Sequence, residues 1–154
     1  MGRTAVGGTF EFLHDGHTAL IRKAFEMAKG DIVDIGLTSD EMAKQKNRNI
    51  PDIATRKKNL TAFIEQLGIP KKRYNIQTLK DPYGSTIKED YEFIVVSPET
   101  HPVALKINEI RKAAGRGEIK IVSINYVMAD DDLPISSTRI GQGEIDVHGH
   151  LKLK

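Results

Sequence analysis

Cysteine is absent from the 154 residues. That excludes a disulfide framework, a thiol nucleophile and a cysteine-ligated zinc or iron–sulfur centre. Tryptophan is absent as well, and aromatic residues make up only 6%. The charges nearly cancel, 23 Lys and Arg standing against 21 Asp and Glu for a formal net charge of +2. A nucleic-acid-binding domain usually shows a clearer basic excess and stacking aromatics, so nucleic acid is not an expected partner. No run of about 18 apolar residues occurs, so no membrane span is expected. The N-terminus lacks the apolar stretch of a secretory signal, which makes the cytoplasm the expected location.

What is present reads as globular: 39% hydrophobic and 29% charged residues. A chain of this length buries about two thirds of its unfolded surface, enough for one substantial core. One domain over residues 1–154 is expected, with about 143–154 as a C-terminal tail. The apolar pattern alternates in type along the chain. Arg3 to Val6 leads into a glycine turn, and Leu20, Ala24, Met27 and Ala28 then recur at helical spacing. Asp31 to Thr38 reads as a second strand, which makes a βαβ unit. Leu60, Phe63, Ile64 and Leu67 mark another helix, closed by Gly68 and Pro70. Strand signals follow at Arg73–Leu79, Glu92–Ser97 and Ile119–Val127, with a helix around Leu105–Ala114 and a terminal helix opening at Ser136. The expected fold is α/β, a single doubly wound, Rossmann-like domain of about five parallel strands. Its site should lie at the carboxyl ends of those strands.

Two stretches carry chemistry. Gly7-Gly8-Thr9-Phe10 leads to His14-Asp15-Gly16-His17 at the turn from the first strand to the first helix. Glycines there let backbone approach a ligand, and a helix N-terminus favours phosphate. Two imidazoles three residues apart can donate to phosphate oxygens and, if protonated, add charge. The pair could also bind zinc, but a third ligand is needed and the other histidines are His101, His148 and His150. Neither the G-K-[ST] loop nor G-x-G-x-x-G is present. The second stretch is Ile135-Ser136-Ser137-Thr138-Arg139. Its hydroxyls cap a helix, and an arginine one turn in can hold a phosphate through two parallel hydrogen bonds. Capping alone explains the hydroxyls; capping together with the first motif suggests a phosphate clamp.

The remaining charges read as less telling. Lys44, Lys46 and Arg48 follow the second strand, and Arg56-Lys57-Lys58 comes next. Most of these suit a solvated face, although one lysine beside the first motif could neutralise a transferring phosphoryl group. Asp130 to Asp132 reads as a solvated loop, Lys71-Lys72-Arg73 as surface, and His148-Gly149-His150 as part of the tail.

With both motifs in order, the sequence resembles the nucleotidyltransferases marked by (H/T)-x-G-H and a C-terminal I-S-S-T. Asp81-Pro82-Tyr83-Gly84 and Glu92 to Thr100 narrow the resemblance to phosphopantetheine adenylyltransferases of the archaeal and eukaryotic type, over roughly Arg3 to Ile140. The resemblance implies adenylyl transfer from ATP to 4′-phosphopantetheine, giving dephospho-coenzyme A and pyrophosphate. It implies Thr9 and His17 at the α-phosphate, His14 toward the β-phosphate, and Lys44 or Lys46 between the two substrates' phosphates. Ser136, Ser137, Thr138 and Arg139 would hold the β- and γ-phosphates, while Gly7, Gly8 and Phe10 line the nucleotide. Mg²⁺ is expected bridging the ATP phosphates, with no protein-built metal site. The arginine pair of the bacterial form is missing; Val96-Ser97-Pro98-Glu99 stands there. Asp81, Tyr83, Ser97 and Thr100 are the candidates for the pantetheine contacts. A sibling transferase acting on nicotinamide mononucleotide, flavin mononucleotide or an alcohol phosphate, or a nucleotide-binding module without turnover, would share the same triphosphate half.

Overall fold

The computed structural model describes residues 2–44 and 49–152. Five strands form one parallel sheet: β1 (Thr4–Gly8), β2 (Val33–Thr38), β3 (Tyr74–Leu79), β4 (Phe93–Val96) and β5 (Lys120–Ser123), in the order β3-β2-β1-β4-β5. Parallel neighbours need crossovers, and helices supply them: α1 (Asp15–Ala28), the short α2 (Asp40–Ala43), α3 (Ile53–Gln66) and α4 (His101–Ala113). A last short helix, α5 (Ser137–Gly141), follows β5. The doubly wound expectation holds. No helix among the described residues is long and apolar enough to cross a membrane.

The pleat divides the core. Val6, Ile35, Leu37 and Val95 pack against Leu20, Ile21, Ala24 and Phe25 of α1 and Leu60 and Ile64 of α3. On the opposite face, Ala5, Ile94 and Val96 meet Ala104 and Ile107 of α4. The strand order reverses at β1, which is the place where such sheets open. The register shows how. β1 follows β2 along its whole length, from Thr4↔Val33 to Gly8↔Leu37, but pairs with β4 only at Thr4↔Phe93 and Ala5↔Ile94. Beyond Ala5 the two central strands part, and the gap is the mouth of a cleft.

Two expectations change at the C-terminal end. The last strand stops at Ser123 rather than Val127, because β4 offers it only four partners, Phe93 to Val96. Residues 124–127 continue instead as a wall of the cleft. The stretch read as a tail folds back on itself through an Ile145↔Leu151 bridge. It ties to the body by Asp15 N–H donating to the Val147 carbonyl (3.0 Å) and Asp130 N–H to that of Gly149 (2.9 Å). Ile145 is wholly buried with Ala129 and Ile135 in a small third core. Gly149 permits this approach: its φ is +83°, and a Cβ there would sit 2.8 Å from Ala129 Cα. His148 and His150 are not loose either, since their Nδ1 atoms pair with Asp15 (2.9 Å) and Asp130 (3.3 Å).

Candidate active site

The first motif builds its geometry locally. β1 ends on Gly7 and Gly8, and the chain turns through Phe10, a non-glycine residue at φ 51°. Its ring is buried and lies 5.1 Å from that of His17. His14 caps α1. Its Nδ1 accepts the Gly16 N–H (3.0 Å), and His17 Nδ1 in turn accepts the His14 N–H (3.2 Å), a reciprocal capping box. The two rings stack with centroids 3.9 Å apart. The glycine of the motif makes this possible, because a Cβ on Gly16 would lie 2.8 Å from the His14 ring.

This network decides the tautomers. Both Nδ1 atoms act as acceptors, so each neutral ring carries its hydrogen on Nε2. Burial of His14 drives the same way, lowering its pKa from 6.5 to about 4, against a smaller opposing effect of Asp15. Of the two possibilities, a neutral donor or a charged one, His14 takes the first: it is a neutral N–H donor at physiological pH. A stability consequence follows. The unfolded chain protonates His14 near pH 6.5 and the folded chain only near 4, so stability present above 6.5 is lost as pH falls through that window. The loss is about 3 kcal/mol by pH 4 at 1.36 kcal/mol per unit. Urea midpoints of wild type and His14→Asn, which keeps a good cap, should run parallel above pH 6.5, and the wild type should lose stability relative to the variant as pH falls from 6.5 to 4. Curves that stay parallel down to pH 4 would remove His14 from this role.

The second motif docks on the first across 125 residues of sequence: Phe12 N–H donates to Ser137 Oγ, and Ser137 Oγ–H to the Phe12 carbonyl, both at 3.2 Å. Ser136 caps α5 by accepting the Arg139 N–H (3.2 Å). Arg139 is held by Asp131 at 2.5 and 3.2 Å and by Glu144 at 3.6 Å. That pairing holds the Asp131 carboxyl below its ordinary range. Asp131 therefore departs from the solvated-loop reading: it orients an arginine.

Gly7, Gly8, Thr9, Phe10, His14, His17, Ser136, Ser137, Thr138 and Arg139 all line one cleft of about 730 Å³, a size typical of small-molecule sites. The cleft continues along the sheet face over Gly36, and Tyr83, Ser97 and Thr100 line it too. Ser97 and Thr100 also close the turn before α4, the Ser97 N–H donating to Thr100 Oγ1 at 3.1 Å. Asp81 instead closes a turn, accepting the N–H groups of Tyr83 (2.8 Å) and Gly84 (2.9 Å), and does not line the cleft. Lys44 is exposed at the end of α2, outside that lining. Lys46 lies outside the described residues.

Two groups escaped the sequence reading. Arg56, read as part of a solvated face, is 0% exposed and bonds five groups around the cleft mouth. Its stripe was visible, since Arg56, Leu60 and Ile64 fall four apart on the buried side of α3. The other is a polar floor. Asp34, 3% exposed in the middle of apolar β2, accepts from Arg3 Nη2 (2.6 Å), Tyr91 Oη (2.8 Å) and Asn75 Nδ2 (3.2 Å). Ser85 Oγ links Tyr91 (2.8 Å) to Gln77 (3.2 Å). Burial, chiefly, pushes the Tyr91 hydroxyl well above its ordinary pKa, so it stays protonated.

Comparison with known proteins places the chain in a family. The cytidylyltransferase-like family model matches residues 5–143. The chain is 56% identical over 152 residues to a phosphopantetheine adenylyltransferase of Methanosarcina acetivorans, covering 99% of this chain and 97% of that one. It is 44% identical over 150 residues to a phosphopantetheine adenylyltransferase of Archaeoglobus fulgidus, covering 97% and 99%. A crystal structure of a protein of unknown function from Archaeoglobus fulgidus superposes with a TM-score of 0.73 at 40% identity, over 79% of this chain and 88% of that one. The chain belongs to the phosphopantetheine adenylyltransferases, within the cytidylyltransferase-like proteins.

Proposed function

We infer that the chain transfers the adenylyl group of ATP to 4′-phosphopantetheine, releasing pyrophosphate and forming dephospho-coenzyme A. The observation that carries this reading is the docking of Ser137 on Phe12, which sets both phosphate-type motifs on one rim of one cleft. An oxygen of the acceptor phosphate attacks the α-phosphorus in line as the bond to the bridging oxygen of pyrophosphate breaks. The nucleophile is already ionised at neutral pH, so positioning and donors carry the catalysis. His17 and Thr9 serve the α-phosphate, His14 the β-phosphate side, and Ser136, Ser137, Thr138 and Arg139 the β- and γ-phosphates. Gly7, Gly8 and Phe10 pack against the nucleotide. Lys44 or Lys46 supplies the cation between the two substrates' phosphates. Mg²⁺ enters on the ATP phosphates, oxygen ligands that this hard cation prefers. Both substrates are charged and water-soluble, in keeping with work in the cytoplasm.

The acceptor's arm belongs in the groove over Gly36, where Tyr83, Ser85, Gln77, Ser97 and Thr100 offer polar groups beside apolar wall. A Cβ on Gly36 would lie 2.8 Å from the Leu79 side chain. Gly36→Ala should push Leu79 into the groove and raise the acceptor KM about tenfold, a typical cost of overpacking, with the ATP KM within about twofold. Equal changes in both would move the arm elsewhere. The activity itself is read by pyrophosphate release with ATP and a panel of phosphorylated acceptors. Release with 4′-phosphopantetheine alone sustains the reading. Preference for a mononucleotide or an alcohol phosphate replaces it with a sibling activity, and ATP binding without release for any acceptor replaces it with a binding module.

A further inference from the structure

Arg56 sits where no solvent reaches it, on the first turns of α3, and its guanidinium bonds the chain at Thr9, Thr38, Asp40 and Pro51. Its Nη1 donates to the carbonyls of Thr38 (2.8 Å) and Thr9 (3.2 Å) and to Thr38 Oγ1 (3.3 Å). Its Nε donates to the Pro51 carbonyl (2.8 Å), and its Nη2 to Asp40 Oδ1 (3.1 Å). Three connections meet on one side chain: the loop after β1, the end of β2 and the approach to α3. Thr38 Oγ1 lies 3.1 Å from Thr9 Oγ1.

The donor and acceptor roles along this chain run one way, from Arg56 to Thr38 and from Thr38 to Thr9. A guanidinium has hydrogens and no acceptor, so Thr38 Oγ1 must accept from it. The Thr38 hydroxyl hydrogen then points away from Arg56, and Thr9 Oγ1 is the acceptor within reach. Thr9 Oγ1 in turn has its own hydrogen left over, on a residue that lines the cleft. An oxygen that could either give or take is thereby set as a giver, which is what a phosphate oxygen requires. We propose that Arg56 is a positioning residue, which acts through Thr38 to hold the Thr9 hydroxyl as a hydrogen-bond donor facing the substrate phosphate. This rests on the reading of the cleft as a phosphate site. Charge alone is not the agent, because a lysine would keep the charge but cannot span carbonyls of three loops and a carboxylate.

The test is a set of isosteric changes. Thr38→Val removes the relay hydroxyl and keeps the shape; kcat should fall about tenfold, the worth of one hydrogen bond. Thr38→Ser restores the hydroxyl and should return most of that loss. Arg56→Lys should also lower kcat by at least as much. Thr9→Ala/Thr38→Val should be no slower than Thr9→Ala alone, since the relay has nothing left to orient. Wild-type turnover in Thr38→Val, or losses that multiply in the double variant, would overturn the proposal. If Arg56→Lys does not fold, the Thr38 variants decide alone. If the wild-type enzyme shows no adenylyl transfer, the functional reading fails separately, and calorimetric ATP–Mg²⁺ affinities of the same threonine variants decide the relay. Equal, non-additive weakening sustains it there, and additive or absent weakening overturns it.

Discussion

Replacing His17 by alanine should cut kcat by about 10²–10³ and leave the ATP KM within a few-fold, the usual loss of one preorganised transition-state donor. The geometry explains why so much depends on one ring. His17 Nδ1 is engaged by the His14 N–H, so the ring is fixed in angle and its hydrogen stands on Nε2. Stacking against His14 at 3.9 Å holds its plane. A donor fixed in this way needs no reorganisation as charge develops on the α-phosphate. The same change also removes half of a capping box, which costs about 1 kcal/mol of stability. Thermal melting therefore accompanies the kinetics: a small drop in Tm with a large drop in kcat separates the two roles. Turnover close to wild type would take His17 out of the chemistry.

The second large effect is expected at Arg139. Arg139→Ala should raise the ATP KM by more than about tenfold, with a smaller fall in kcat, because under the proposed function it would hold phosphates in ground and transition states alike. Its surroundings sharpen the expectation. Asp131 is tied to Arg139 at 2.5 Å and stays ionised below the usual carboxylate range. Removing the arginine leaves that anion without its guanidinium on the rim of the proposed triphosphate site. Arg139→Ala/Asp131→Ala should thus bind ATP better than Arg139→Ala alone. Steady-state kinetics on the two variants decide the point. An ATP KM that is unchanged in the single variant removes Arg139 from the site, and no recovery in the double variant removes the repulsion.

How much of this was legible beforehand depends on the range of the interaction involved. The histidine motif is self-contained. His14, Gly16 and His17 cap their own helix through bonds spanning two and three residues, so spacing alone carries the arrangement. The strands and main helices were legible for a similar reason, since apolar periods of two and near four are imposed by local geometry. Asp34 and Arg56 were not. Each is a polar residue set in an apolar pattern, and such a residue reads equally as an error in the pattern or as a buried site. The deciding partners come from elsewhere: Tyr91 for Asp34, Thr9 and Thr38 for Arg56. The C-terminal residues were misread because Gly149 and the histidines look like a polar end until Ala129 and Asp130 are known to lie beneath them.

Composition narrowed the field from the outset: without cysteine no thiol or disulfide chemistry was open, and a net charge of +2 made nucleic acid a poor partner. The order of strands and helices and the two motifs together pointed to a phosphate-handling transferase. Those properties rest on covalent composition and on short-range backbone geometry, which the chain carries with it unfolded. Tertiary structure decided the rest. It brought Ser137 onto Phe12, parted β1 from β4 beyond Ala5 to open the cleft, and buried a guanidinium behind Thr9. None of these is specified by spacing, because each depends on which faces pack together once the sheet forms. A near-neutral chain thus places a few donors at one rim, and folding, not charge count, sets them there.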